Sequence, residues 1–207
     1  MAKGPALAVV RVALAALIAA ALVAQFLDVL SRDVSVVSFL SFFTIQSNVF
    51  GMVVLAWLGL RHPPPAHRID QVRGAAVVYL TITGVVYALL LSDDPAAVET
   101  TLPWVNTVLH QVAPVLIVVD WLVDPPSARI AGREAAWWFA YPIVWIAYTM
   151  VRGAIVDWYP YPFLDPRREG WASVVTTSVA ITVGFGIVIA LVAWIGNVRT
   201  RRVAAPT

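Results

Sequence analysis

The chain has 207 residues, of which 60% are hydrophobic and 13% charged, with a formal net charge of +2. This composition excludes an ordinary soluble domain and points to an integral membrane protein; the few basic residues flank apolar runs and read as topology signals rather than as a nucleic-acid surface. Cysteine is absent, which excludes disulfides, thiolate metal sites and thiol catalysis.

A membrane span needs about 20 mainly apolar residues. Six segments qualify, near 5–30, 34–60, 72–92, 103–123, 135–156 and 171–196. The fold expected is an all-α integral membrane protein. It is a single six-transmembrane-helix bundle over 1–207, with both termini cytoplasmic. The first run is longer than the roughly 7–15 apolar residues of a signal-peptide core. It is therefore expected to remain as a first span.

The second segment contains FFTIQSNVF (42–50), whose centre carries Thr44, Gln46, Ser47 and Asn48. Hydrocarbon offers such groups no partner, and burying one unpaired costs about 1–3 kcal/mol. On one continuous helix Thr44, Ser47, Asn48 and Gly51 share a face, Ser41 extends it, and Gln46 points elsewhere. A proline-rich loop, RHPPPAHR (61–68), leads to the third segment, where Tyr87 and Thr83 supply hydroxyls. SDDPAAVETT (92–101) is an acidic loop.

In the fourth segment Asn106, His110 and Pro114 are spaced by four and share a face. Proline has no N–H, so the helix is expected to kink and leave the His110 carbonyl without its usual donor. His110 is the one histidine placed inside a span; His62 and His67 fall in the proline-rich loop. In the fifth segment Arg152 shares a face with Tyr141, Trp145 and Tyr148. A lipid head group, Asp28 or Asp157 is its expected partner, with snorkelling to the interface as the alternative. DWYPYPFLDPRREG (157–170) is an aromatic, proline-rich loop.

Lys3, Arg61, Arg68, Arg73, Arg129, Arg133, Arg199, Arg201 and Arg202 fall on one side of such a bundle, and Arg32, Arg167 and Arg168 on the other. The richer side is expected to be cytoplasmic. Eight tryptophans are expected near span ends; Trp145 lies near mid-span.

Counting about 1.5 Å per residue from the outer ends puts Thr44 about 13–15 Å deep and His110 about 10 Å deep. A threonine hydroxyl becomes a nucleophile when a base takes its proton, and neutral imidazole is the usual base. The pair is thus a candidate catalytic site for acyl transfer. Asn48, Asn106, Ser47 or backbone donors are candidates to support it or stabilise an oxyanion. Arg152, Tyr87 and Tyr148 are candidates for substrate binding. Spacing alone leaves helix packing open as the role of Ser41, Ser47 and Gly51, whereas an intramembrane histidine is a functional candidate by default.

Three stretches, FFTIQSN (42–48), LHQVAPVLIVVD (109–120) and WYPYPFLD (158–165), resemble one family. It is the androgen-induced protein and androgen-dependent tissue-factor-pathway-inhibitor-regulating protein family, of which this chain looks like a bacterial-type member. The resemblance implies a six-span threonine hydrolase that splits fatty acid esters of hydroxy fatty acids or similar long-chain acyl esters. On it the family threonine falls on Thr44, the histidine on His110 and a following acidic residue on Asp120. The family's YPFL falls on Tyr161, Pro162, Phe163 and Leu164. Here the span-four proline lies one position closer to the histidine and the second span is more polar. The resemblance further implies a membrane lipid substrate, no metal or organic cofactor, no nucleic-acid partner, and residence in a bacterial inner membrane. The competing expectations are a non-enzymatic lipid-binding or scaffolding protein and a small transporter. The last lacks both a span-centre carboxylate and an internal repeat.

Overall fold

The computed structural model describes residues 4–32, 35–92 and 102–204, with side chains described up to 200. Most of the acidic loop expected over 92–101 therefore lies outside the described residues. Among the described residues every regular element is helical. Six helices are long and apolar enough to cross a membrane: Pro5–Ser31, Phe43–Arg61, His67–Leu91, Pro103–Val123, Gly132–Val156 and Pro166–Thr200.

We number the α-helical pieces α1 (Pro5–Ser31), α2 (Val36–Ser41), α3 (Phe43–Arg61), α4 (His67–Val86), α5 (Pro103–Thr107), α6 (Ala113–Val123), α7 (Gly132–Ala135), α8 (Ala140–Val156) and α9 (Pro166–Ala204). Helix α4 is the hub and packs against α3, α6 and α9, while α1 packs along α3. Its run from Gly74 to Leu80 is buried without interruption. Helix α8 is peripheral and turns Ile143, Val144, Val151 and Ile155 outward, each 58–75% exposed.

The second apolar run is not one helix. It breaks at Phe42, whose backbone is extended (φ −65°, ψ 130°), between α2 and α3. No proline or glycine marks the place. A break strands carbonyls on one side and N–H groups on the other, and the polar residues of the stretch serve these groups. Gln46 Nε2 donates to Leu40 O at 2.7 Å and is itself held by the Tyr141 hydroxyl at 2.6 Å. The indole N–H of Trp145 donates to Ser41 O at 2.9 Å, which gives the mid-span tryptophan its reason. Residue 46 does point away from the seam, toward the broken end of α2.

The fourth run is also irregular. Between α5 and α6, residues Val108–Val112 form a π turn, so Ala113 N–H bonds Val108 O. In that wider register Pro114 withholds its donor from Leu109 O, not from His110 O, and Asn48 Nδ2 takes the Leu109 carbonyl at 3.1 Å. The expected free acceptor thus moves back by one residue, because a π turn pairs i with i+5. A second π turn, Tyr87–Leu91, ends α4. Gly84 lets the two helices close: a Cβ there would lie 2.9 Å from Pro114 Cβ and 3.2 Å from His110 O. Gly170, at φ 77°, turns the chain into the last long helix immediately before Trp171, where the sequence places the start of that span; the left-handed region suits glycine.

At the end of the bundle carrying the 62–66 loop, five charged side chains pack together. Arg11 of α1 bonds Asp120 (2.7 and 3.1 Å) and Asp124, while Arg73 of α4 bonds Asp70 (3.4 Å) and Asp124 (3.2 Å). Trp121 and Trp138 face into the bundle, at 2% and 3% exposure. Their indoles donate to Val192 O and Gln71 O at 3.1 and 3.0 Å.

Candidate functional site

Thr44 is the second residue of α3, just past the break, and His110 lies in the π turn of the fourth run. Thr44 Oγ1 and His110 Nε2 are 3.2 Å apart, and both residues are buried. The other ring nitrogen, Nδ1, lies 3.2 Å from the carbonyl of Asn106. A carbonyl only accepts, so Nδ1 carries the hydrogen and Nε2 presents its lone pair to the threonine. The ring is held in plane by Tyr87, stacked at 4.5 Å between centroids with a 26° tilt. The Thr44 hydroxyl, the imidazole and the Asn106 carbonyl thus follow one another in a hydrogen-bonded chain, an arrangement that could activate a hydroxyl.

A fourth group completes the chain of hydrogen bonds. The segment after α8 folds back into the bundle and buries Tyr161 and Leu164. Arg167 ties its base by bonding Asp165 at 2.9 Å and Asp157 at 3.1 Å. The Tyr161 hydroxyl accepts from Thr44 N–H at 3.2 Å and lies 3.2 Å from Thr44 Oγ1. With the threonine proton directed at His110, the phenol donates to Oγ1. Burial pushes the phenol above its ordinary value, opposed by hydrogen bonds from Thr44 and Phe43, so it remains a neutral donor.

The remaining candidates fall elsewhere. Asn48 Nδ2 gives both hydrogens to carbonyls, Thr44 O at 2.9 Å and Leu109 O. Ser47 Oγ lies 3.2 Å from Thr44 O and 2.9 Å from Thr83 Oγ1. Asn106 Nδ2 donates to the Tyr87 hydroxyl at 2.7 Å. These three side chains brace Thr44 and the partners of the His110 ring, and the donors that could face a developing oxyanion belong to Tyr161 and the start of α3. Tyr148 bonds Ser41 Oγ at 2.8 Å. Arg152 bonds Ser38 Oγ at 3.1 Å and lies 5.0 Å from the Trp158 ring, whereas Arg32 takes Asp28 and Arg167 takes Asp157. Neither Tyr148, Arg152 nor Tyr87 lines the cavities that meet at Thr44. Asp120 belongs to the charged cluster with Arg11.

Two cavities share Thr44 and Tyr161 as a partition. The larger is mainly apolar and lies between α4, α8 and α9, with Phe43, Val86, Ile146, Ile181 and Phe185 in its wall. The smaller lies between α1, α3 and the fourth run and is lined by Gln25, Asn106 and His110. Among the described residues no three His, Asp or Glu side chains converge in a way that could hold a metal ion.

No protein-family model, curated protein or solved structure matches this chain.

Tyr161 was not legible as a partner of Thr44, since 117 residues separate them. The available signal was an aromatic between two prolines, in YPYPF, directly after a span.

Proposed function

We propose that the protein is an intramembrane carboxylic ester hydrolase of the threonine type, acting on fatty acid esters of hydroxy fatty acids or similar long-chain acyl esters. The observation that carries this reading is the 3.2 Å approach of Thr44 Oγ1 to a histidine nitrogen whose tautomer leaves it an acceptor. The resemblance to the androgen-induced protein family points the same way.

In this mechanism Thr44 Oγ1 attacks the ester carbonyl carbon and its proton passes to His110 Nε2. The tetrahedral intermediate collapses, His110 returns the proton to the leaving alkoxide, and an acyl-threonine remains. Water then enters, gives a proton to His110, and its oxygen attacks the acyl carbon; the proton returns to Thr44 as the acid departs. The wall residues orient the substrate. His110 faces only the smaller cavity, so the alcohol that it protonates occupies that side, where the unpaired Oδ1 of Asn106 offers an acceptor. The acyl chain occupies the larger, apolar cavity.

The reading places the bundle in a bacterial inner membrane with both termini inside. Its outward apolar side chains, such as Val9, Leu89 and Ile155 at 67–75% exposure, suit lipid. Because the chain has no cysteine, a single Pro64→Cys variant provides a clean topology test. In sealed right-side-out cells it is expected to resist an impermeant maleimide until the membrane is opened; labelling of intact cells would reverse the orientation.

A long-chain fluorophosphonate is expected to label the purified protein on Thr44, read by peptide mass mapping. A modified residue elsewhere, with wild-type ester turnover intact, would remove Thr44 as nucleophile. A purely lipid-binding protein would bind the ester and release no acid.

A further inference from the structure

We infer that Tyr161 is a catalytic residue: its phenol stabilises the oxyanion formed when Thr44 attacks an ester. This inference rests on the hydrolase reading and adds to it a side-chain donor for the oxyanion.

The first intrahelical bond of α3 is Gln46 N–H to Phe42 O at 3.2 Å, so the N–H groups of Phe43, Thr44 and Ile45 lie ahead of the ladder. They give that end of α3 a partial positive charge. The phenol oxygen of Tyr161 sits on it and accepts from Thr44 N–H. Accepting a hydrogen bond polarises the O–H and strengthens it as a donor. In the resting site that hydrogen has one neighbour to serve, Thr44 Oγ1 at 3.2 Å.

The attack changes that neighbour. When Oγ1 bonds the acyl carbon it becomes an ester-type oxygen and a poorer acceptor, while the former carbonyl oxygen, attached to the same carbon, becomes an anion. The phenol needs only a rotation about its C–O bond to redirect the hydrogen from Oγ1 to the oxyanion. The proton stays on the phenol oxygen, and the proton of Thr44 goes to His110, so the charge balances. The hydrogen bond is stronger in the transition state than in the ground state, which is the condition for raising kcat.

Among the described residues no other side chain beside Thr44 is placed for this role. Ser47 and Asn48 are bonded to Thr44 O on the far side of the first turn, and Asn106 donates to Tyr87. The ring of Tyr161 is immobilised by stacking on Phe163 (5.3 Å, 4°) and by the edge contact with Phe42 (5.5 Å, 80°), so its hydroxyl is placed before substrate arrives.

The test is Tyr161→Phe in the full chain, assayed with p-nitrophenyl palmitate in detergent micelles beside wild type and Thr44→Ala. The ring contacts survive, so KM and the melting temperature are expected to hold while kcat falls on the order of 10²-fold. A palmityl trifluoromethyl ketone, which forms an oxyanionic hemiketal with the nucleophile, is expected to lose affinity by a similar factor. A non-reactive palmityl ether is expected to bind as before. Wild-type kcat in Tyr161→Phe overturns the inference and leaves the hydrolase reading standing. So does a loss in which ketone and ether weaken equally, since that marks a packing role. A wild-type protein that releases no palmitate under these conditions, while binding the ether, removes the hydrolase reading and this inference with it.

Discussion

Thr44→Val is expected to abolish ester hydrolysis, with kcat/KM falling by at least about 10³-fold, while Thr44→Ser retains measurable turnover. Losing a nucleophile leaves only the catalysis that binding and oxyanion stabilisation sustain. Valine keeps the shape of threonine and removes the hydroxyl, so cavity formation does not confuse the result. Two buried groups lose a partner, His110 Nε2 and the Tyr161 O–H, at about 1–3 kcal/mol each. The Thr44 N–H and carbonyl keep their bonds to Tyr161 and Asn48.

The order of the two variants separates catalysis from packing. A nucleophile ranks serine above valine in activity. A packing residue ranks valine at or above serine in stability and sets no order in turnover. Measuring kcat/KM and the detergent melting temperature on both variants decides it. Equal turnover in wild type and Thr44→Val would end the threonine mechanism.

The residues of the second run show what a sequence makes legible and what it does not. Hydropathy depends on composition within one window, so the apolar runs could be located without knowing any contact. Spacing also placed Thr44, Ser47, Asn48 and Gly51 on one buried face, as α3 has them, because all four lie in one helix. Ser41 was joined to that seam by the same arithmetic, yet it belongs to α2, across a break that neither proline nor glycine announces. The cause of the break is tertiary: Trp145 from α8 and the Tyr161 segment satisfy backbone groups that a continuous helix would have paired internally. Gln46 shows the same limit. Its spacing put it off the seam, but its partner is the carbonyl of Leu40, six residues back. The Asn106–His110 spacing of four gave a shared face, whereas the Nδ1 bond to Asn106 O depends on rotamer and on the π turn, which periodicity does not report. The role of Arg11 was not legible at all, because its carboxylate partners lie more than one hundred positions away.

That arginine carries the largest expected effect on stability. Arg11 and Arg73 meet Asp70, Asp120 and Asp124, and these side chains are only 3–11% exposed. Two cations against three carboxylates leave the cluster one charge negative. Asp70 is further held by Ser127, whose N–H and hydroxyl both donate to Oδ2 at 2.6 Å. Arg11→Ala would leave a single guanidinium among three buried carboxylates and open the join between α1 and α6. Removing one partner of a buried pair costs about 3–5 kcal/mol, because the remaining charge stays desolvated. Arg11→Lys is expected to recover only part, since one ammonium does not reproduce the paired contacts to Asp120. The double variant Arg11→Leu with Asp120→Leu is expected to be more stable than the sum of the single losses implies, the mark of direct coupling. Additive losses in thermal melts of the four proteins would deny the coupling. The cluster lies at the opposite end of the bundle from Thr44 and His110. Ester turnover by Arg11→Ala, measured well below its lowered melting temperature, is therefore expected to match wild type. A fall in kcat with the fold intact would instead tie this charged end to the catalytic one.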